Sequence, residues 1–270
     1  MAYPALEKPR RGRWDGPPPD VSIEQVVTWK WQWALVGVGV ACVPPDSPSE
    51  GSIAVSAPAP HEAVPRLRRA GTGGPAPARV AEIFTDDFGR QALGPDYNTT
   101  SPRWLIAAGQ LCARGAHNRP LWLRRRLPVN ARIDFDAVAA STAGDIKVEA
   151  WGDGTSAATT SSYHDATSYI VIFGGWKNHL HAIARLDEHG KDRQAVGVGT
   201  SPRAQPVEPH RRYHLTIERR DGRTVRWLVD GAELLRYADD SPLVGANHEY
   251  FAFNNWEAPV CFDNLRITPL

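Results

Sequence analysis

Apolar and polar residues alternate with a period of two along most of the chain after residue 80. In 131–139 the apolar residues at 133, 135 and 137 alternate with charged residues at 132, 134 and 136. The segment 145–151 follows the same rule, with Lys147, Glu149 and Trp151 on its outward face. Because successive side chains of a strand point to opposite faces, this period predicts strands with one buried face. Helical periodicity is nearly absent here.

Turn signals divide this part of the chain into short segments. The pairs Asp221-Gly222 and Asp230-Gly231 supply the positive φ angles that tight hairpin turns require. The segments 249–256 and 261–267 are predicted to close the chain as two more strands. About ten to twelve short strands without intervening helices predict an all-β fold, an antiparallel sandwich or barrel.

Composition divides the chain into three parts. Residues 1–42 form a polar, proline-rich extension that ends in a short apolar segment, and residues 43–78 form a linker rich in Pro, Ala and Ser. Neither part shows a repeating apolar face, so neither is expected to fold alone. Residues 79–270 are predicted to be the single folded domain.

The apolar segment from Trp33 to Cys42 is too short to span a bilayer but suits the core of a secretory signal. Its ending, GVAC, resembles a bacterial lipoprotein box, in which the cysteine becomes lipidated, although Gly39 stands where leucine is usual. The resemblance implies lipidation of Cys42 and a secreted or lipid-anchored protein of the cell envelope. The long stretch before it is explained if translation starts near Val26. An ordinary apolar segment is the alternative.

The formal net charge of +1 argues against an electrostatic grip on nucleic acid or on an anionic membrane. Contact with a membrane is therefore expected only through the lipid anchor. If Cys42 is lipidated, Cys112 and Cys261 remain, each within a predicted strand. They form a disulfide if the strands are neighbours; otherwise they are two buried thiols, which we favour because the sequence fixes no distance.

Four segments, taken in order, resemble the concanavalin A-like lectin and glucanase superfamily: IFTDDFG (83–89), RWLIAAGQLCARG (103–115), GRTVRWLVDGAELLRY (222–237) and FDNLRITPL (262–270). Within that superfamily, FGGWKN and IARLDEHG are similar to YesU-like bacterial proteins and more distantly to the 3-keto-disaccharide hydrolase family. The resemblance implies a two-sheet antiparallel jelly-roll sandwich whose concave face receives a carbohydrate in many relatives. It also implies a structural calcium ion near Asp87 and Asp263, and no other cofactor.

Two segments, one around Trp176 and one around Trp256, combine an indole with polar neighbours. This is the mixture of side chains that binds sugars. Aromatic faces stack on the apolar C–H groups of a sugar ring, while amides and charged groups bind its hydroxyls. The polar loop after the strand at 145–151 is a weaker candidate. The predicted ligand-binding residues are Trp151, His164, Trp176, Asn178, His181, Arg185, Asn254, Trp256 and Glu257. The alternative is that the tryptophans belong to the core.

The sequence favours a saccharide-binding protein over an enzyme. Glycosidases on this fold usually carry closely spaced carboxylates on one strand, such as E-x-D-x-E, and no such spacing occurs here. His179, His181 and His189 do not form a recognisable zinc triad. A polysaccharide hydrolase or lyase that uses the concave face, and a structural or adhesive surface module, remain the alternatives.

Overall fold

The computed structural model describes residues 82–270, which fold into fifteen strands and one short helical turn. The strands are β1 (Phe84–Asp86), β2 (Tyr97–Thr99), β3 (Leu105–Ala107), β4 (Gln110–Ala113), β5 (Leu121–Leu123), β6 (Ala131–Ala139), β7 (Ile146–Gly152), β8 (Tyr169–Gly174), β9 (Leu180–Arg185), β10 (Gln194–Gly197), β11 (Arg212–Arg219), β12 (Thr224–Val229), β13 (Ala232–Ala238), β14 (Tyr250–Asn254) and β15 (Val260–Pro269). The turn α1 (Gly175–Asn178) joins β8 to β9. The extension 1–42, the linker 43–78 and Cys42 lie outside the described residues.

The strands form two antiparallel sheets. The eight-stranded sheet has the order β13-β12-β11-β6-β15-β4-β3, with β1 paired to β15, and the seven-stranded sheet has the order β10-β9-β8-β7-β14-β5-β2. The two-sheet antiparallel sandwich predicted from the sequence is confirmed. Several strands have only three residues, which is why the structure has more strands than the alternation indicated.

A single large apolar core lies between the sheets. The inward residues of β6, among them Ile133 and Phe135, meet Phe251 and Phe253 from β14. Phe262 of β15 packs against the same rings. These side chains are at most 1% exposed, so the alternation in β6 identified the buried face correctly. Among residues 82–270, no helix is long and apolar enough to cross a membrane.

Trp151 does not lie on the outward face of β7 and is not available to a ligand. The pairing of β7 with β14 shifts register beside it, and Trp151 has a φ of 56°, which marks a β-bulge. The bulge turns the indole into the core, where it is 0% exposed and its Nε1 donates to the carbonyl of Pro128 (3.1 Å). The guanidinium of Arg219 covers the ring at 3.9 Å. The predicted site residue Trp151 is therefore a core residue.

Cys112 and Cys261 are joined by a disulfide. They lie directly opposite each other in the pairing of β4 with β15, with a Cα–Cα distance of 4.1 Å. The expectation of two separate buried thiols is wrong, because neighbouring strands bring together residues that are 149 positions apart. The bond ties the C-terminal strand to β4.

Candidate functional site

The outer face of the seven-stranded sheet is covered in its middle by the loop 153–168. Ile170 and Ile172 of β8 point outward from this sheet and pack with Tyr163 of the loop in a second apolar cluster. Tyr163 is fully buried, although Ser and Thr dominate the loop around it. We call residues 153–168 the covering loop. It folds onto the outer face of the sheet.

Beneath the covering loop, Lys147 of β7 is fully buried in polar contacts. Its Nζ donates to Oδ1 of Asn118 (2.9 Å) and lies 2.9 Å from Oε2 of Glu188. The amide of Asn118 also donates to Oε1 of Glu188 (3.4 Å). Burial lowers the pKa of Lys147, but the opposite charges of Asp145 and Glu188 outweigh it, so the net pKa is raised and the lysine stays charged.

Glu149 lies one pleat further along β7 and is 0% exposed. Its carboxyl accepts hydrogen bonds from Ser168 Oγ (2.5 Å), Tyr163 OH (3.2 Å) and Asn254 Nδ2 (2.7 Å). Burial raises the pKa of Glu149 to about 7, because the three donors offset the loss of water only in part. Glu149 therefore takes up a proton near neutral pH.

The raised pKa of Glu149 gives a testable dependence of stability on pH. The folded protein holds this proton up to about pH 7, whereas an unperturbed glutamate releases it at 4.5. The contribution is therefore complete below pH 4.5 and is lost as the pH rises towards 7. At 1.36 kcal/mol per pKa unit this loss is about 3 kcal/mol. Urea unfolding at pH 5 and pH 7.5 should show it in the wild type and not in Glu149→Gln. The exposed control Glu257→Gln should keep the loss of stability seen in the wild type. If Glu149→Gln also keeps this loss, the assignment of the raised pKa to Glu149 is contradicted.

Asp145 precedes β7 and contacts the ends of both strands that flank β7, namely β8 and β14. Its backbone N–H donates to the carbonyl of Gly174 (2.9 Å), and the backbone amide of Trp256 lies against its carboxylate. Oδ2 of Asp145 is buried without a hydrogen-bond partner. Burial raises the pKa of Asp145, and the charge of Lys147 opposes the rise only in part. The segments that carry Trp176 and Trp256 thus meet at one edge of the sheet.

Trp176 lies in the turn α1 and is 36% exposed. The turn is left-handed, with φ values of 52° at Trp176, 57° at Lys177 and 64° at Asn178. Such angles are costly for residues with a Cβ. The indole has His189 at 5.7 Å between ring centroids and the guanidinium of Arg193 at 4.9 Å. Trp176 is thereby held at the surface.

Asn178 holds this turn in place and is not free to bind a ligand. Its Nδ2 donates to the carbonyls of Thr142 (3.2 Å) and Val207 (2.8 Å), and its Oδ1 accepts the N–H of Val207 (2.9 Å). A Cβ on Gly174 would lie 2.5 Å from that Oδ1, so the glycine is required for this close approach. The predicted ligand residue Asn178 is therefore a positioning residue for Trp176.

His181 and Arg185 are also engaged within the protein. His181 is fully buried, its Nδ1 accepts the N–H of Gly174 (3.0 Å) and its Nε2 lies 3.1 Å from the carbonyl of Gln205. Arg185 pairs with Asp239 (2.8 Å). Both were predicted as ligand-binding residues. Internal contacts occupy both ring nitrogens of the buried His181, so that assignment is corrected. Arg185 is half-buried and also donates to the carbonyl of Ser241 (2.8 Å), and a role for it in ligand binding stays a prediction.

The remaining candidates divide between the interior and the surface. Asn254 is fully buried, and its amide donates to the carboxyl of Glu149. The prediction that Asn254 binds a ligand is therefore wrong, and its role is to support Glu149. His164 is exposed and pairs with Asp187 (2.9 Å). Trp256 is half-buried and Glu257 is exposed. Of the nine predicted residues, Trp176, His164, Trp256 and Glu257 are therefore accessible at this edge.

Trp256 lines an open pocket of about 460 Å³ between the covering loop and the segment 116–119. The volume lies in the range of small-molecule sites. The lining residues combine an indole, an imidazole, a guanidinium and hydroxyl groups: His117, Arg119, Ala158, Thr159, Thr160, Ser161 and Trp256. Trp176 is not part of this lining, so the two indoles lie at one edge without sharing a pocket.

A buried amide ties together the segments that carry His117 and Trp256. Asn255 is fully buried, its Oδ1 accepts the N–H of Ala116 (3.1 Å) and its Nδ2 donates to the carbonyl of Ala258 (2.6 Å). The backbone N–H of His117 donates to the carbonyl of Trp256 (3.0 Å). His117 and Asn118 both have positive φ, at 52° and 55°, so the chain turns sharply where it meets Trp256.

Sequence reasoning missed the pocket residues His117 and Arg119 and the buried charges beneath the covering loop. A signal for the buried charges is present: Asp145, Lys147 and Glu149 occupy alternate positions, which gives D-x-K-x-E. Alternation places these three ionisable residues on one face of the strand, which indicates that their side chains are neighbours but not that the face is covered. His117 and Arg119 carry no such pattern.

The aspartates considered for a calcium site form other contacts. Asp87 accepts the N–H of Gly89 (2.9 Å), and Asp263 lies 3.3 Å from Arg212. Within residues 82–270, no group of three His, Cys, Asp or Glu side chains is placed to hold a metal ion. Calcium near Asp87 and Asp263 stays a prediction.

Comparison with known proteins places the chain in a family. A family model described as Farnesoic acid 0-methyl transferase matches residues 130–266, just over half of the chain. The chain belongs to this family. No curated protein matches it.

The chain is also similar to solved structures of jelly-roll proteins. The apo Crh5 transglycosylase is 12% identical with a TM-score of 0.50, and the match covers 73% of this chain and 88% of that chain. The carbohydrate binding module CBM66 from Bacillus subtilis is 13% identical with a TM-score of 0.46, covering 66% and 98%. The laminarinase catalytic domain from Thermotoga maritima MSB8 is 11% identical with a TM-score of 0.48, covering 69% and 97%. At such identities the likeness to Crh5 shows a shared fold alone.

Proposed function

We propose that the protein binds a saccharide in the pocket beside Trp256. The observation that carries the proposal is the combination of a half-buried indole with hydroxyl and cationic side chains around 460 Å³ of open space. An indole face stacks on the C–H groups of a sugar ring, and the surrounding donors bind its hydroxyls. The fold is shared with a solved transglycosylase, which supports a saccharide as the class of ligand.

Trp176 provides a second aromatic surface at the same edge of the sheet. Strands β8 and β14 run in the same direction on either side of β7, so the segments that follow them end at the same edge. We propose that the later units of a saccharide bound at Trp256 contact Trp176. The proposal is therefore a chain-binding surface with its main contact at Trp256.

Binding is favoured over hydrolysis or lysis because the central carboxylates are covered. Glycosidases need two carboxyl groups that flank the scissile bond, about 5 to 9.5 Å apart. Here Asp145, Glu149 and Glu188 are all at most 7% exposed, beneath or beside the covering loop. The family description names a methyl transfer, which is not the activity proposed here. The pocket supports saccharide binding over a purely structural or adhesive module.

Export is the second part of the proposal. The disulfide between Cys112 and Cys261 is of the kind that persists in an oxidising compartment outside the cytosol. Cys42, outside the described residues, is the proposed lipidation site that would hold the protein at the cell envelope. We also propose that the protein is related to the YesU-like bacterial proteins that its sequence resembles.

Replacing Trp256 with alanine tests the binding surface. Loss of the stacked ring is expected to weaken saccharide binding at least tenfold, which corresponds to about 1.4 kcal/mol. The melting temperature should change by only a few degrees, since the backbone contacts of Trp256 remain. The measurement is calorimetric titration of the full chain with ligands from a glycan array of neutral and acidic saccharides.

Trp176→Ala is the matched control for this experiment. It removes an exposed indole outside the pocket, so it should leave the affinity for a short saccharide unchanged and weaken only longer chains. Unaltered binding by Trp256→Ala, or the absence of any saccharide ligand on the array, would contradict the proposal.

A further inference from the structure

The Trp256 pocket carries positive charge that no carboxylate in its lining balances. Arg119 and His117 line it, together with the hydroxyl-bearing residues 159–161. Within the described part of the chain, Arg119 forms no salt bridge, whereas the arginines on the outer face of the eight-stranded sheet, such as Arg226 and Arg236, pair with acidic side chains. An exposed guanidinium in a pocket is available to a ligand.

The backbone on both sides of Arg119 is fixed. Its carbonyl accepts Nε1 of the buried Trp104 (2.8 Å), and the preceding carbonyl of Asn118 accepts the N–H of Ala158 (2.9 Å). The amide of Asn118 is held by Glu188 beneath the covering loop. Because these contacts hold the main chain, the guanidinium extends from a rigid support, which lowers the entropic cost of binding.

Two carboxylates lie near the pocket without lining it. Asp165 accepts the hydroxyl of Thr159 (2.9 Å), and Glu257 follows Trp256 in the chain and is exposed. Neither forms a salt bridge with Arg119. Arg119 is therefore the side chain that presents a full positive charge to a ligand in this pocket.

We propose that the pocket selects an acidic saccharide, a sugar ring that carries a carboxylate. The planar guanidinium of Arg119 binds the carboxylate through two parallel hydrogen bonds, while the indole of Trp256 stacks on the ring. The exposed Ser161 and the imidazole of His117 lie in the same lining for the ring hydroxyls. This inference rests on the proposed function and narrows its ligand to uronate-containing chains.

The test compares polyuronates with their carboxyl-reduced forms, which have the same ring stereochemistry without the charge. Calorimetric titration of the full chain should give at least tenfold tighter binding to the acidic form than to its reduced form. Arg119→Gln should abolish this preference, so that the acidic form and its reduced form bind the variant with equal affinity. Arg124→Gln is the matched control, because Arg124 is an exposed arginine without a salt bridge within residues 82–270 and lies outside the pocket.

The outcomes separate this inference from the proposed function. Equal affinity for the acidic and reduced forms, or a preference that persists in Arg119→Gln, overturns the inference and leaves saccharide binding intact. Loss of the preference in Arg124→Gln as well would show a general electrostatic effect and also overturn it. If neither the polyuronates nor the neutral saccharides of the array bind, the proposed function and the inference both fail.

Discussion

Replacing Lys147 with methionine is expected to lower the free energy of unfolding by about 3–5 kcal/mol. The variant keeps the apolar length of the side chain, so the expected loss comes from charge and not from a cavity. Lys147 is 3% exposed and lies between the carboxylates of Glu188 and Asp145. Without the ammonium group these acids stay buried with no positive partner, and burying such charge is strongly unfavourable.

Two further variants isolate this effect. Lys177→Met removes an exposed lysine from the turn α1 and should change stability by less than about 0.5 kcal/mol. The double variant Lys147→Met/Glu188→Gln should recover part of the loss, because it removes an acid together with its partner. Urea unfolding at pH 7 measures all three. A loss below about 1 kcal/mol in Lys147→Met would mean that water reaches the cluster beneath the covering loop.

Removing the disulfide is expected to have an effect of similar size. The double variant Cys112→Ala/Cys261→Ala should lose about 2–5 kcal/mol, because the bond restricts the unfolded chain across a long loop. The two cysteines are separated by 149 positions in sequence, so the loop is among the longest that this domain permits. The pairing of β4 with β15 does not depend on the bond, and the variant should therefore remain folded at 25 °C.

Reduction provides the control for this prediction. The wild-type protein should shift to a lower urea midpoint when a thiol reductant is added, whereas the double variant should not respond. Mass spectrometry after alkylation counts the free thiols in each sample. A wild-type midpoint that is insensitive to reductant, with both thiols alkylated, would contradict a stabilising role for the bond.

The alternation of residues predicted the sheets but not their local irregularities. In β6 the inward positions, including Phe135, are the core positions, because the strand is regular and one face is sealed. In β7 the same rule fails at Trp151, where a bulge inserts one residue and reverses the face. A bulge depends on how β14 pairs with β7, and the sequence of β7 alone does not contain that information.

The candidate site could be predicted only in part, because it also depends on which distant segments of the chain lie side by side. Trp256 and Trp176 stood out as aromatic residues beside polar ones, and the structure places both at one edge. Their neighbours in space are distant in sequence: Ala116 contacts Asn255 across 139 positions. The burial of Lys147 and Glu149 depends on the covering loop, whose Ser-rich and Thr-rich composition resembles that of an exposed connection.

The covering loop has a consequence for how such proteins diversify. It is one uninterrupted stretch of sixteen positions between consecutive strands, so a single insertion or deletion can alter it without disturbing either sheet. A descendant that shortened it would uncover an ammonium group and several acids in the middle of the sheet. One genetic event would thus convert a sealed charge cluster into a reactive surface on an unchanged framework.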